Sequence, residues 1–262
     1  DCVTYKANTL AVDAALTRAI VFDENPTPPQ NGTLDAYESV EGLSGTRFND
    51  VLVGADTVAA DRLPFLQGGT EGYAGSALDA AGIARIGGLQ PLRGNPATGS
   101  TAGALIHGGD GSDLTRGGGG DDIIDGDKWL NVQIGVFAAN DPEHLGTPIA
   151  LHSSMKTLVN SMFAGTINPG QLAIVRSISS GPMPGTPAPL PGQPAPVYID
   201  TVAYVGPLAN YAFGSTADGR LTVTDISADA IEGTDTLSGI ERLQFAGGGV
   251  LNIVAGTNAA DV

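Results

Sequence analysis

Short apolar segments separated by glycine-rich polar turns run through most of the chain. Each segment is only a few residues long and rich in aliphatic and β-branched side chains, which indicates strands rather than helices. The predicted strands are Asp1–Tyr5 with alternation continuing to Val12, Ala19–Phe22, Leu105–His107, Trp129–Ile134, Leu172–Val175, Thr201–Val205, Arg220–Thr224, Ile240–Phe245 and Val250–Val254. The pattern predicts a mainly β fold with many turns.

Helical and extended segments interrupt this pattern in the middle of the chain. Ser76–Ile86 is rich in alanine, its first residue can cap a helix, and the two glycines that follow end it. A second helix is predicted within 151–165. Seven prolines between Gly181 and Pro196 indicate a stiff, extended connector, and Ala217–Gly219 forms a hairpin turn.

Two nine-residue units stand in tandem at Gly108–Arg116 and Gly117–Asp125. Both fit the repeat Gly-Gly-x-Gly-x-Asp-x-apolar-x, in which glycines allow a tight turn and the apolar residue at position eight points into a core. Thr115 is the one departure, since it stands at the inward position. Its neighbour Leu114 is apolar where a solvent-facing residue is usual. The repeat predicts turns that alternate with three-residue strands.

A third, looser unit follows the same spacing at Gly45–Val53. Asp50 takes position six and Leu52 the inward position, as Leu43 does nine residues earlier. The frame is then interrupted by 57–102 and resumes before Leu105. In the resumed frame position six falls on Ala104, whose side chain cannot bind a cation.

Charge makes cation binding a specific expectation. Lys and Arg number 12 against 28 Asp and Glu, a net charge of −16, which disfavours nucleic acid and anionic membranes as partners. The acidity alone is equally consistent with mere solubility. Tight glycine turns, however, direct carbonyl oxygens inward, and the aspartate at position six adds a charged oxygen. Such an oxygen cluster suits Ca²⁺.

Recognisable catalytic patterns are missing from the sequence. The three histidines (His107, His144 and His152) are too far apart for a zinc helix motif and are predicted to be structural. Cys2 is the single cysteine, which excludes an intrachain disulfide and a cysteine zinc site. No Gly-x-Ser-x-Gly or phosphate-loop pattern, haem-ligand arrangement or bilayer-length apolar run is found.

Because the chain starts with Asp1 and has no signal peptide, we expect a processed piece or segment of a longer protein.

The repeats resemble those of the bacterial RTX family of secreted and cell-surface proteins. Val40–Thr46 followed by Asn49-Asp50 is similar to the entry repeat of many such domains, and Asp200–Tyr204 and Gly233–Phe245 are similar to segments that flank the repeats. Gly117–Val132 resembles RTX regions attached to large bacterial haem peroxidases of the animal type. The resemblance implies a right-handed parallel β-roll with Ca²⁺ between stacked turns, and export by a type I apparatus from a Gram-negative bacterium.

That geometry also implies which residues hold calcium. Turns two repeats apart stack on each other in such a roll. The turn 45–50 is therefore expected to stack on 108–113, and the interrupted turn that begins at Gly54 is expected to stack on 117–122. The turn 108–113 should also stack on 126–131, where Asn131 stands in place of the aspartate at position six. Asp50 and Asp113 are then expected to share one ion, and Asp122 another with Asp56 or nearby carbonyls. The predicted metal-site residues are Asp50, Asp56, Asp110, Asp113, Asp121, Asp122, Asp125, Asp127, Gly45, Gly108, Gly111, Gly117 and Gly119. Few ions are expected because few repeats are well formed.

The expected organisation has three parts. Residues 1–135 are expected to form the β-roll, with calcium-binding repeats at 45–56 and 103–135 on either side of a helical insertion (57–102). Residues 136–198 are expected to form a helix and a proline-rich connector. Residues 199–262 are expected to form strands that pack on the roll or extend it. The expected function is that of a non-enzymatic, calcium-binding structural module that rigidifies outside the cell. The alternatives are an accessory region of an RTX-linked peroxidase or hydrolase, and an adhesin, surface-layer or filament subunit. Other domains of a parent protein or other surface proteins are the possible protein partners.

Overall fold

The computed structural model describes residues 2–16, 40–55, 80–93, 103–194 and 196–253. The protein is mainly β, with 37 % strand and 11 % helix, as its sequence predicts.

The strands are β1 (Cys2–Thr4), β2 (Asp13–Ala15), β3 (Gly42–Ser44), β4 (Val51–Val53), β5 (Ile86–Gly87), β6 (Leu105–His107), β7 (Leu114–Arg116), β8 (Ile123–Asp125), β9 (Trp129–Val136), β10 (Ala150–His152), β11 (Leu172–Ser179), β12 (Thr201–Pro207), β13 (Tyr211–Ser215), β14 (Leu221–Asp225), β15 (Thr234–Ser238), β16 (Arg242–Ala246) and β17 (Val250–Asn252). The α-helices are α1 (Ala80–Ala84), α2 (Leu89–Arg93) and α3 (Val159–Phe163), and single 3₁₀ turns lie at Met155–Thr157, Pro169–Gln171 and Leu208–Asn210. Among the described helices, none is long and apolar enough to cross a membrane.

Successive short strands along the chain belong alternately to two sheets. The first sheet has the order β1-β3-β6-β8-β15-β14-β13, and the second has the order β17-β16-β12-β7-β4-β2. The neighbouring strands from β1 to β15 in the first sheet, and from β2 to β16 in the second, are parallel. Strands from 199–253 therefore extend both sheets beyond the glycine repeats.

The core lies between these two sheets and takes one side chain from each short strand. Successive side chains of a strand point to opposite faces, so only the middle residue of a three-residue strand enters the core. The inward residues of these strands and of the longer β12, β15 and β16 include seven that are at most 2 % exposed and belong to one apolar cluster: Leu43, Ile106, Ile124 and Leu237 from the first sheet, and Leu52, Val202 and Leu243 from the second. The nine-residue spacing predicted this inward position for Leu43 and Leu52, and the structure confirms it.

Thr115 occupies the inward position of β7 although its hydroxyl is polar. It is fully buried and pairs in register with Leu52 on β4 and Val202 on β12. Its hydroxyl donates a long hydrogen bond of 3.3 Å to the Thr201 carbonyl, which partly offsets the loss of water. Leu114 beside it is 39 % exposed, as its outward position predicts.

A second layer covers the outer face of the first sheet. It consists of α1, α2 and a third sheet of order β10-β9-β11-β5. Leu105 of the first sheet and Leu130 of β9 pack there with Ile83, Ile86 and Leu89. The main chain of Leu130 is tied to the first sheet, because its N–H donates to Ser44 Oγ (2.9 Å) and its carbonyl accepts from the Thr4 hydroxyl (3.0 Å).

Several predicted boundaries need correction. Helix α1 ends at Ala84, and the chain continues into β5 and α2 instead of stopping at the two glycines, because Ile86 and Leu89 are buried in the second layer. Ser76 lies outside the described residues, as do Ala19–Phe22 and Val254. The turn at Ala217–Gly219 joins β14 to β13, a strand that the sequence did not predict. Segment 136–198 contains a short α3, and β10 and β11 occupy much of the rest.

Replacing Thr115 by valine should stabilise the protein. The variant keeps the shape and exchanges a weak hydrogen bond for apolar contact with Leu52 and Val202, so we expect the free energy of unfolding to rise by about 0.5–1 kcal/mol. By comparison, Leu52→Ala should lower it by about 2–5 kcal/mol. Denaturant unfolding of both variants beside the wild type measures the difference. A destabilised Thr115→Val would mean that the hydroxyl bond outweighs the apolar contact.

Candidate metal centre

Two rows of turns flank the core, one on each side of the two sheets. The forward edge contains turns that lead from the first sheet to the second, at 5–12, 45–50, 108–113 and 239–241. The return edge contains turns that lead back, at 54–55 with 103–104, at 117–122 and at 231–233. On the forward edge, turn 45–50 lies directly on turn 108–113, since Asp110 N–H donates to the Thr46 carbonyl and Ser112 N–H to Asn49 Oδ1. This stacking matches the one expected from the sequence.

Carboxylates at position six link the forward turns into a ladder. The N–H of Asp50 donates to Asp113 Oδ1 at 2.7 Å, and the N–H of Asp113 donates in turn to Asp200 Oδ1 at 2.7 Å. The ladder continues at both ends, from Val12 N–H to Asp50 Oδ1 and from Asp200 N–H to Glu241 Oε2, each at 2.8 Å. Each acid therefore accepts the amide of the preceding turn.

Asp200, not Asn131, holds the sixth position of the turn that begins at Gly126. The expectation for Asn131 was wrong because the chain leaves this turn at Trp129, enters the third sheet, and returns only at Asp200. Thr201 then joins β7 through the hydrogen bond from its N–H to the Asp113 carbonyl, at 2.8 Å. Three of the four strands of the third sheet, β9, β10 and β11, thus lie inside one turn.

The return edge has a shorter ladder of the same kind. Ala104 N–H donates to Asp122 Oδ1, and Asp122 N–H donates to Asp235 Oδ1 at 3.0 Å. The interrupted turn stacks on 117–122 as expected, because Gly54 N–H donates to the Arg116 carbonyl and Gly119 N–H to the Ala55 carbonyl. Ala104 stands at position six and contributes only its amide.

Glycine is required at the first position of the turns because two oxygens crowd its Cα. A Cβ on Gly108 would fall within 3.0 Å of both Asp113 Oδ2 and the Gly126 carbonyl oxygen, closer than real Cβ atoms approach. The same pair of obstacles, the turn's own carboxylate and the next turn's carbonyl, faces Gly45 and Gly126. Gly109 and Gly111 are needed for another reason, since their φ values are 108° and 121°. The turns thereby bring carboxylate and carbonyl oxygens together.

Burial makes these carboxylates costly to ionise. Asp113 is 1 % exposed, and burial, followed by the charges of Asp200, Asp50 and Asp110, raises its pKa to about 9. Burial likewise raises the pKa of Asp200 to about 7 and that of Asp235 to about 8. The Oδ2 atom of Asp113 is buried without a hydrogen-bond partner. A cation beside it would remove both penalties.

Turn 45–50 satisfies its own carboxylate in a different way. Thr46, in place of a second glycine, donates its N–H to Asp50 Oδ2 (2.5 Å) and its hydroxyl to Asp50 Oδ1 (2.9 Å). With Val12 also donating to Asp50, both carboxylate oxygens are occupied by protein donors. Asp50 and Asp113 are brought together as expected, but the oxygen left for a cation belongs to Asp113.

Four other predicted ligands have different surroundings. Asp110 Oδ2 accepts hydrogen bonds from Met183 N–H (2.8 Å) and Thr186, and Asp121 Oδ1 accepts from Thr234 N–H (2.8 Å). Their carboxylates therefore hold neighbouring segments.

Asp125 and Asp127 follow the second glycine repeat. Asp125 is buried on the outer face of the first sheet, where it pairs with Lys128 at 2.5 Å and accepts from Ser238 at 2.7 Å. Asp127 lies beside Gly239 and Glu241, and its pKa is raised by burial and by Glu241. We omit Asp125 from the candidate ligands because its carboxylate already has a cationic partner. Asp56 lies outside the described residues.

The donor set fits Ca²⁺ only if main-chain oxygens contribute. Over the described ranges, no three side chains of His, Cys, Asp or Glu form a group that could hold a metal ion. The turns supply carbonyls at Gly108, Gly126 and Gly117 beside the aspartates. Oxygen-only donors, carboxylates mixed with carbonyls, are what Ca²⁺ prefers.

The histidines do not join this donor set. His107 is buried on the outer face of the first sheet, neither ring nitrogen has a hydrogen-bond partner, and burial lowers its pKa to about 4. His144 bonds the Gly170 carbonyl and His152 bonds the Thr157 hydroxyl.

The predicted metal-site residues do not include three acids of the ladders: Asp200, Asp235 and Glu241. From the sequence, Asp235 could bind a cation or cap a turn, with capping favoured. A signal for the aspartates was present, because each is followed two residues later by an apolar residue that enters the core, Val202 and Leu237. The glycines that usually precede position six are missing at Asp200. Glu241 lies in a turn that is shorter than the glycine turns, and its side chain is longer than that of aspartate.

Comparisons with known proteins give no relative for this chain. No family model matches it, and neither a curated protein nor a solved structure matches it significantly. Any function must therefore be inferred from the geometry of the site.

Gly108→Ala should destabilise the protein, because the new methyl group would collide with Asp113 Oδ2 and the Gly126 carbonyl. We expect a loss of about 1–3 kcal/mol in the free energy of unfolding. Gly170→Ala is the matched control, since a Cβ there meets only Asn168 Oδ1 at 3.4 Å. Equal stability of the two variants in thermal unfolding would contradict the crowding at Gly108.

Stability of the metal-free protein should fall as the pH rises from 7 to 9. Asp113 and Asp235 have pKa values of about 9 and about 8 when folded, against 3.8 ordinarily, so their stabilising neutral forms are lost over this range. His107, lowered from 6.5 to about 4, stays neutral throughout and does not contribute. Thermal unfolding in chelator at both pH values measures the effect, and Asp113→Asn should reduce it. A metal-free midpoint that is unchanged or rises toward pH 9 would contradict the prediction.

Proposed function

We propose that this chain is a calcium-dependent structural module of a secreted or cell-surface bacterial protein. In this proposal the two sheets and their stacked turns are a right-handed parallel β-roll of the RTX kind. The observation that supports it most is the buried Asp113 carboxylate, whose Oδ2 has no hydrogen-bond partner and lies over Gly108 in a stack of acidic turns.

Two groups of residues would hold the ions. On the forward edge they are Asp113 and Asp200 with the carbonyls of Gly108 and Gly126, and on the return edge Asp122 with the carbonyls of Gly117 and Ala55. The bound cation would supply positive charge to a place where several buried oxygens otherwise repel one another. The ladder hydrogen bonds hold the carboxylates in place, and the first-position glycines leave room beside them.

Binding of this kind is coupled to folding. Without a cation, the folded turns must keep their carboxyls protonated or bear unpaired charge, and glycine-rich segments gain more backbone entropy than others when they unfold. A ligand that binds only the folded state adds its binding free energy to stability. The chain would stay loose where calcium is scarce and become rigid where it is plentiful.

This behaviour suits a protein that crosses an envelope before it folds. Extracellular modules bind calcium at about 10⁻⁴–10⁻³ M, well above the range of cytosolic sensors. The RTX-like repeats and the net charge of −16 agree with such a route. The module's role is then mechanical: it presents or supports other parts of a larger protein.

Calcium titration followed by circular dichroism tests the proposal. We expect chelator-treated protein to gain strand signal and thermal stability with Ca²⁺ but not with equal Mg²⁺. Asp113→Asn should raise the calcium midpoint by about tenfold or more, because losing a charged ligand costs at least about 1.4 kcal/mol. Asp229→Asn, at an exposed carboxylate outside the ladders, should leave the midpoint unchanged. A spectrum and melting temperature that are insensitive to chelator would rule the proposal out.

A further inference from the structure

Residues 181–186, at the start of the proline-rich segment, form a strap across the forward edge. Met183 in the strap is 2 % exposed, although the prolines on either side of it are exposed. Its sulfur packs on turn 108–113, because a Cβ on Gly109 would lie 2.8 Å from Met183 Sδ. The buried methionine therefore anchors the strap to the turn that contains Asp113.

Alternate residues of the strap contact three neighbouring turns. The hydrogen bonds run from Trp129 Nε1 to the Gly181 carbonyl (3.0 Å), from Met183 N–H to Asp110 Oδ2 (2.8 Å), and from Arg47 Nη1 to the Gly185 carbonyl. Arg47 and Asp110 belong to the stacked turns 45–50 and 108–113. Trp129 ends the next turn of the stack, which begins at Gly126 and bonds Gly109. The strap thus ties three layers of the forward edge together.

A β-turn fixes the shape of the strap. Thr186 N–H donates to the Met183 carbonyl at 3.0 Å, across Pro184 and Gly185. Proline followed by a glycine with positive φ, here 89°, is the pattern of a type II turn. Pro182 and Pro184 also restrict the undocked segment, so docking the strap costs less entropy than docking a flexible segment would.

Asp110 is the residue that holds the strap on its turn. Its Oδ2 accepts hydrogen bonds from both the Met183 N–H and the Thr186 hydroxyl. Hydrogen bonds to a charged oxygen are stronger than those between neutral groups. The charge of Asp110 is also among those that raise the pKa of Asp113. The contact that holds the strap therefore lies close to the proposed calcium ligand.

We propose that the strap closes the forward edge over the calcium ion proposed at Asp113, and that strap docking and calcium binding strengthen each other. An ion between the turns and a strap across them hold the same stack together, so each reduces the cost of ordering that the other must meet. Calcium would leave slowly while the strap is docked and faster once it opens. This inference rests on the proposed calcium-dependent function.

Tryptophan fluorescence reports whether the strap is docked, because Trp129 is the only tryptophan of the chain. Its ring is 5 % exposed, and its indole N–H donates to the strap. At saturating calcium, Met183→Ala and Thr186→Val should emit at longer wavelength than the wild type, since the indole loses its contact with the strap. Far-ultraviolet circular dichroism checks that both variants are folded.

The rate of calcium release is the decisive measurement. Calcium-loaded protein is mixed with an excess of a fluorescent chelator in a stopped-flow instrument. The release phase that is lost in Asp113→Asn belongs to the forward edge, and the phase that is lost in Asp122→Asn belongs to the return edge. Met183→Ala should speed the forward phase by about tenfold or more, because truncation removes most of the strap's apolar anchor. The return-edge phase should keep its wild-type rate.

Two further variants separate the strap from general destabilisation. Thr186→Val removes only the hydroxyl that donates to Asp110 and should speed the forward phase severalfold. Met155→Ala makes the same truncation at a methionine that is 43 % exposed and outside the strap, and it should leave emission and both release phases unchanged. Should Met183→Ala fail to fold, Thr186→Val decides.

The outcomes distinguish the two proposals. An unchanged forward phase in folded Met183→Ala and Thr186→Val overturns the strap inference, while calcium binding by the wild type leaves the proposed function intact. Equal acceleration of both phases also overturns it, because the variants would then act through the stability of the whole protein. A wild type that binds no calcium overturns the proposed function, and the strap inference with it.

Discussion

A buried carboxylate folded back over a glycine is the constraint on which the rest of this structure depends. Asp113 bonds the preceding turn through Oδ1 and lies over Gly108 through Oδ2. The first contact sets the spacing between turns, and the second admits only glycine. Because β7 begins where this turn ends, the same contact sets the register of β7 with β4 and β12 in the second sheet.

The constraint also explains why such short strands suffice. Each strand of the repeats contributes one fully buried side chain, such as Ile106 or Leu52. That alone would be a modest core for a glycine-rich chain, whose backbone loses much entropy on folding. The turns therefore have to contribute to stability, yet in the absence of metal their buried acids oppose it. Under the proposed function, a bound cation would offset this cost of the buried acids.

Local periodicity predicted the repeats well and the long-range insertions poorly. A nine-residue frame places Leu43 and Leu52 inward, because these residues are adjacent in the frame. The stacking of turn 45–50 on 108–113 followed from the β-roll that the family resemblance implies. The return of the chain at Asp200 has no such signal, since β9 to β11 intervene and the glycines before position six are absent. The burial of Ile86 and Leu89 depends on strands that lie far away in sequence, so the helix boundaries there could not be read locally.

The acids of the forward ladder differ in how fully protein donors occupy their carboxylate oxygens. At Asp50 the protein provides its own donors, through Thr46 and Val12, so both carboxylate oxygens accept hydrogen bonds. At Asp113, Oδ1 accepts from Asp50 N–H but Oδ2 has no hydrogen-bond partner. The neighbouring turn is the one that the chain leaves for the third sheet and rejoins at Asp200. A cation between these two acids would join the segments on either side of that excursion. Calcium would then act where connectivity is weakest, and the long third-sheet insertion would be held to the sheets by the ion as well as by Ser44 and Thr4.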